Sequence, residues 1–125
     1  MLNAVYQLKR PRQFELVYKD INPDKERVIV RPTHLSICNA DQRYYQGSRP
    51  EEILRKKLPM ALIHEGIGKV MYDPTGEFSI GDHVVMIPNL PSEEDDIIAE
   101  NYLRSSRFRA SGTDGFLQEY VQTSP

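Results

Sequence analysis

A chain of 125 residues is long enough for one domain with its own core. Its 16 Lys and Arg against 18 Asp and Glu leave a net charge of −2, which gives no electrostatic footprint for nucleic acid or an anionic membrane surface. No apolar run approaches the ~18 residues of a transmembrane helix, the amino terminus lacks a secretory signal pattern, and one cysteine cannot close an internal disulfide, so a soluble, cytoplasmic protein is expected.

In chain order, the first strand signal is the alternation of Phe14, Leu16 and Tyr18. Asn22-Pro23-Asp24 then marks a turn, and Val28-Ile29-Val30 opens an apolar run that reaches Cys38. Helices are predicted over Asn39 to Gln46 and over Pro50 to Lys57; in the second, Glu51 and Glu52 lead and Arg55 to Lys57 close, the charge order a helix dipole favours. Leu62 to Tyr72 and Val84 to Ile87 are rich in β-branched residues and read as strands, separated by Asp73-Pro74-Thr75-Gly76 and Gly81-Asp82. Pro88 to Ser111 reads as a lobe with a short helix through Ile97 to Leu103 or as a loop, its acidic run Glu93 to Asp96 a solvated face. After the turn Ser111 to Gly115, Phe116 is expected to begin a strand. Many short strands with such turns predict a mainly β barrel or sandwich with minor helix.

The chemistry concentrates at Cys38 and the adjacent pair His64-Glu65. Thiolate, imidazole and carboxylate are the donors zinc takes, and a mixed, incomplete set suits a catalytic site with an open position. A structural zinc would call for paired cysteines at short spacing, which a chain with one cysteine lacks. The plainer reading makes Cys38 a buried small hydrophobe and His64-Glu65 a satisfied polar pair. His34, in a strand, and His83, beside the Gly81-Asp82 turn, are read as structural or exposed, and Tyr6, Tyr18 and Tyr72 as core or edge packing.

Four motifs occur in order: Ser36-Ile37-Cys38-Asn39-Ala40-Asp41, Leu58 to Val70 containing His64-Glu65-Gly66-Ile67-Gly68, Phe78-Ser79-Ile80-Gly81-Asp82-His83-Val84, and Asp114-Gly115-Phe116-Leu117-Gln118-Glu119-Tyr120-Val121. This series resembles the amino-terminal, GroES-like catalytic domain of zinc-dependent medium-chain alcohol and polyol dehydrogenases. Val5-Tyr6-Gln7-Leu8, Pro11 to Glu15, Val28 to Pro32, Ala40 to Tyr45 and Ile98 to Leu103 further resemble the ribulose-5-phosphate reductases, also called ribitol-5-phosphate dehydrogenases. That family reduces D-ribulose 5-phosphate with NADPH to supply CDP-ribitol for teichoic-acid-type polymers.

The resemblance implies a partly open GroES-like β-barrel with short helices, residues 1–125 forming the catalytic domain. It implies that Cys38, His64 and Glu65 hold zinc, with a fourth ligand, a glutamate, in a segment after Pro125, and that Asp41 hydrogen-bonds the non-ligating nitrogen of His64, fixing its tautomer. A helix amino-terminal charge is the competing reading of Asp41. Gly66 and Gly68 follow the ligands where backbone must approach closely or a strand must bend. The serine or threonine two residues after the ligating cysteine and the histidine five after it, which relay protons in some relatives, are Ala40 and Arg43 here, so Tyr44 or a water is expected to take that work. Arg43 and Arg49 offer guanidinium groups for a substrate phosphate, with solvent exposure or a local carboxylate pair as the plainer alternative. Position 63 is Ile where the superfamily usually has Gly, so the backbone before His64 is expected to need less freedom.

No Gly-x-Gly-x-x-Gly fingerprint opening a helix occurs in the chain, so no dinucleotide site is expected within it, and an isolated catalytic segment is expected to transfer no hydride. The resemblance further implies a homodimeric full-length enzyme, acting with a cytidylyltransferase. Two other classes stay open: a zinc polyol or alcohol dehydrogenase for unphosphorylated substrates, and a GroES-like binding module without catalysis.

Overall fold

The computed structural model describes residues 1–90 and 107–125. The elements in order are β1 (Leu2–Arg10), β2 (Gln13–Asp20), β3 (Val28–Ser36), α1 (Asn39–Gln46), α2 (Glu51–Lys57), β4 (Met60–Ala61), β5 (Glu65–Tyr72), β6 (His83–Met86), β7 (Asn89–Leu90), β8 (Arg107–Phe108) and β9 (Val121–Thr123). They form a three-stranded sheet β2-β1-β4, a four-stranded sheet β6-β5-β3-β9 and the pair β7-β8. Among the described residues the sheets do not close into a full barrel, as expected for a partly open one. The predicted helix within Ile97 to Leu103 and the acidic run Glu93 to Asp96 lie outside the described residues.

Both helices form where expected, with Pro50 as the residue capping α2 rather than its first turn. α1 ends at Gly47, whose φ of 75° is the left-handed cap, with its N–H on the Tyr44 carbonyl at 3.2 Å. β5 starts at Glu65 rather than Leu62, because the backbone of residues 62–63 bonds sideways to another segment. β1 has no apolar alternation to announce it: buried Asn3 and Gln7 share its inner face with Val5, while Leu2 and Tyr6 are exposed. Asn3 is tolerated there because it donates to the Gln118 side chain and the Tyr120 carbonyl and accepts from the Tyr120 N–H. In β2 the alternation of Phe14, Leu16 and Tyr18 gives the strand correctly, yet all three are exposed, as are Tyr6 and Tyr72.

The core gathers Leu8, Val30, Met60, Leu62, Val121 and the fully buried Phe116 between the sheets and the helices. Phe116 does not begin a strand as expected. It sits in a strap, residues 115–119, laid between β1 and the chain before β5. On one side the N–H groups of Gly115, Phe116 and Leu117 donate to the carbonyls of Ala61, Ile63 and Leu62 at 2.8, 2.7 and 3.2 Å. On the other, Tyr6 donates to Leu117 at 3.1 Å and Glu119 to Ala4 at 2.8 Å. β9 then enters the second sheet beside β3, so this one stretch ties the two sheets together.

Close approach explains the glycine at 115: a Cβ there would collide with the carbonyl oxygens of Leu62 and Ile63. Gly68 is similar, a Cβ falling 2.7 Å from the Arg31 carbonyl, where β3 and β5 shift register, as its expected structural role requires. Asp114 anchors the strap's start, accepting from Gln7 Nε2 (2.9 Å), Ala61 N (2.8 Å) and Lys19 Nζ (2.6 Å).

Gly115→Ala is expected to lose about 1–3 kcal/mol of stability in urea unfolding, the range for forced overpacking; a change within error would show that the strap gives way freely. Burial by itself pushes the Asp114 carboxyl up, but Lys19 and the Ala61 and Gln7 donors outweigh it and hold it below the ordinary 3.8. The unfolded chain therefore takes the proton first on acidification. The contribution is full above the ordinary value and is lost as pH falls through the lowered one. Asp114→Asn should flatten that acid limb of the stability profile, read by denaturant midpoints measured across it.

Candidate metal centre

Cys38 is the residue before α1, and His64 and Glu65 stand at the entry to β5, so two distant segments must be brought to one place. The joining group is Asp41. In the first turn of α1 it points inward, 3% exposed, and its two oxygens accept from the N–H of Cys38 at 3.0 Å and of Ile63 at 2.9 Å. A carboxylate at this position also meets the positive end of the helix.

Cys38 Sγ lies 3.8 Å from His64 Nδ1. Two ligands of one tetrahedral zinc, at about 2.3 Å for sulfur and about 2.0 Å for nitrogen, stand ~3.5 Å apart, so this pair fits a shared ion. One donor atom from each of Cys38, Asp41 and His64 lies within 4.8 Å of the others. Glu65 falls outside that trio. It is 56% exposed and its Oε1 approaches the other ring nitrogen, His64 Nε2, at 3.7 Å. A single ion can use only one of the two ring nitrogens, so the structure joins two of the expected ligands directly and leaves the third beside them. The expected partner of the Asp41 carboxylate was the imidazole; the partners found for its two oxygens are backbone N–H groups.

The backbone before His64 does need the freedom that the isoleucine argued against. Ile63 has φ 75°, the left-handed region that a β-branched residue seldom enters. Strain of about 1–3 kcal/mol is typical of such positions and persists only where surroundings over-determine it. Here the Asp41 carboxylate holds the N–H, the Phe116 N–H holds the carbonyl at 2.7 Å, and the side chain is buried at 6% exposure. Nothing in the composition around position 63 signals this; the signal was the superfamily's glycine.

Tyr44 is buried at 3% exposure in the core, with the Arg49 guanidinium 4.4 Å above its ring, a cation–π contact. Arg49 Nε is buried with no hydrogen-bond partner among the described residues. Arg43 is exposed and lies two residues, ~200°, around α1 from Asp41. His34 and His83 are both exposed, as expected. An apolar cleft of about 460 Å³, lined by Phe14, Ile37, Tyr45, Ile63 and Leu117 among others, opens beside Asp41.

Residues 24–125 match the alcohol dehydrogenase GroES-like domain, and the chain belongs to that family. Within it, the chain is 65% identical over 125 residues to the ribulose-5-phosphate reductase of Bacillus spizizenii, covering 100% of this chain and 37% of that one. It is 60% identical over 121 residues to ribulose-5-phosphate reductase 1 of Staphylococcus aureus, covering 97% and 36%. The crystal structure of S. aureus TarJ in complex with NADPH superposes with a TM-score of 0.75 at 44% identity, covering 99% of this chain and 32% of that one. The chain thus spans about a third of the length of these relatives.

Loading with Co²⁺ should produce a thiolate-to-cobalt absorption that Cys38→Ala abolishes, while His64→Ala lowers metal affinity more than about 100-fold, beyond the range for outer partners. Cys38 is half-buried, not the buried small hydrophobe of the plainer reading, and unchanged metal content in both variants would leave it a structural thiol beside a polar pair.

Proposed function

We propose that this chain is the zinc-holding catalytic segment of an NADPH-dependent reductase that converts D-ribulose 5-phosphate to D-ribitol 5-phosphate. The observation that carries this reading is the 65% identity across all 125 residues to a ribulose-5-phosphate reductase. Cys38 and His64 at 3.8 Å support it as a donor pair.

Cys38 and His64 would hold the zinc, with Glu65, which stands beside the pair and would have to turn toward the ion, as the proposed third ligand; the chemistry zinc supplies when bound is to polarise the ketose carbonyl toward hydride. Asp41 keeps the two ligand segments in register. Tyr44 or a water is proposed to relay the proton from the reacting oxygen, and the burial of Tyr44 in the core, 3% exposed, favours the water for the step to solvent. Of the two arginines proposed for the phosphate, Arg49 is the better supported, because its guanidinium is fixed over the Tyr44 ring, whereas Arg43 stands on the exposed side of α1. NADPH binding belongs on this reading to a further part of the polypeptide, because residues 1–125 carry no Gly-x-Gly-x-x-Gly fingerprint; that NADPH is the cofactor is supported by the S. aureus TarJ complex with NADPH. The product would supply CDP-ribitol for teichoic-acid-type polymers. A homodimer in the cytoplasm, working with a cytidylyltransferase, completes the proposal; no helix of the described residues is long and apolar enough to cross a membrane.

Residues 1–125 exchanged for the matching segment of the B. spizizenii reductase are expected to give a protein that oxidises NADPH with D-ribulose 5-phosphate and far less well with D-ribulose. Arg49→Ala in that protein should raise KM mainly for the phosphorylated ketose. Equal activity on both ketoses would instead place the chain with the polyol dehydrogenases for unphosphorylated substrates.

A further inference from the structure

Three residues of the described chain other than glycine have left-handed backbone: Arg12, Ala110 and Ile63. Arg12 is in the tight connection from β1 to β2 and Ala110 enters the turn of residues 110–112, where the chain must reverse. Ile63 is different. It is β-branched, buried and next to a metal-ligand candidate, and both peptide planes flanking it are pinned, one by Asp41 Oδ1 on its N–H and the other by the Phe116 N–H on its carbonyl. Fixing both planes fixes φ and ψ, and the second plane contains the nitrogen of His64. Asp41 Oδ2 meanwhile holds the N–H of Cys38 at 3.0 Å. One carboxylate therefore sets both the conformation at position 63 and its distance from the cysteine.

We propose that Ile63 is a positioning residue: its clamped left-handed backbone aims His64 at Cys38, and Asp41 acts on the centre chiefly by holding that backbone. An isoleucine released from the clamp would turn toward the right-handed or extended regions and carry His64 with it. A glycine released in the same way would have no such drive, because the left-handed region costs it nothing. The two positions must then be coupled.

The test is a double-mutant cycle on the full 125-residue chain with Asp41→Asn, Ile63→Gly and the pair, reading Co²⁺ affinity by chelator competition and the position of the His64 imidazole resonances without metal. Asparagine keeps one acceptor but turns an amide donor toward the other N–H. Asp41→Asn should weaken Co²⁺ binding by about tenfold or more with Ile63 present and by less than about threefold in the Ile63→Gly background, and should shift the metal-free His64 resonances only where Ile63 is retained. Equal losses in both backgrounds would overturn the proposal and assign Asp41 to the imidazole or the ion itself. If near-UV circular dichroism shows that Ile63→Gly does not fold, Ile63→Asn, which tolerates the left-handed region, takes its place. The inference rests on the zinc reading only for its metal readout. A parent chain that binds no Co²⁺ would sink that reading, while the metal-free His64 cycle would still decide the role of Ile63.

Discussion

The centre depends on one buried charge. Asp41 brings a carboxylate to a place that solvent barely reaches, and it is stable there because two backbone N–H groups point at it and the start of a helix lies behind it. The same two bonds join segments more than twenty residues apart, the residue before α1 and the residue before His64. Neither segment could fix the sulfur-to-imidazole distance alone: α1 has eight residues, too short to be stable unless packed, and residues 62–64 belong to no strand. The candidate metal ligands are therefore only as well placed as the carboxylate between them.

The strap over residues 115–119 supplies the second constraint. It covers the carbonyls of Ala61, Leu62 and Ile63 and puts the Phe116 ring into the core, so that the chain leading to His64 is satisfied on both sides. Asp114 secures its beginning against β1, β2 and β4, and the Arg109 guanidinium donates to the Asp114 and Gln122 carbonyls at either end of it. Polar groups are thus buried along with the apolar core because each finds a partner, and the sheets are held by side-chain bonds where the ladders stop. A left-handed isoleucine is sustainable in such a setting, since the bonds and burial lost by relaxing it outweigh the strain.

Candidate donors could be nominated from the sequence because residue type carries coordination chemistry, and the structure brings two of them, Cys38 and His64, to 3.8 Å. Glu65 was nominated in the same way, and the structure sets its carboxylate 3.7 Å from the far nitrogen of the ring, beside the donor trio of Cys38, Asp41 and His64. Both helices were legible from charge order and turn residues, local signals that act within a few positions. β1 was not, because its buried face carries Asn3 and Gln7, which depend on partners more than a hundred residues away. In β2 the alternation was right about the strand and silent about which face is covered.

By itself the sequence determined the inventory: a mainly β chain with two short helices, one thiol, one adjacent His-Glu pair and an aspartate three residues after the cysteine, each set by short-range propensity or by residue chemistry. The tertiary structure alone decided that Asp41 faces two N–H groups, that Ile63 is forced into a glycine-like conformation, and that Phe116 lies in a strap instead of a strand. Those outcomes come from hydrogen bonds and close contacts between segments far apart in the chain. Their geometry depends on how all the elements pack, which no local pattern encodes.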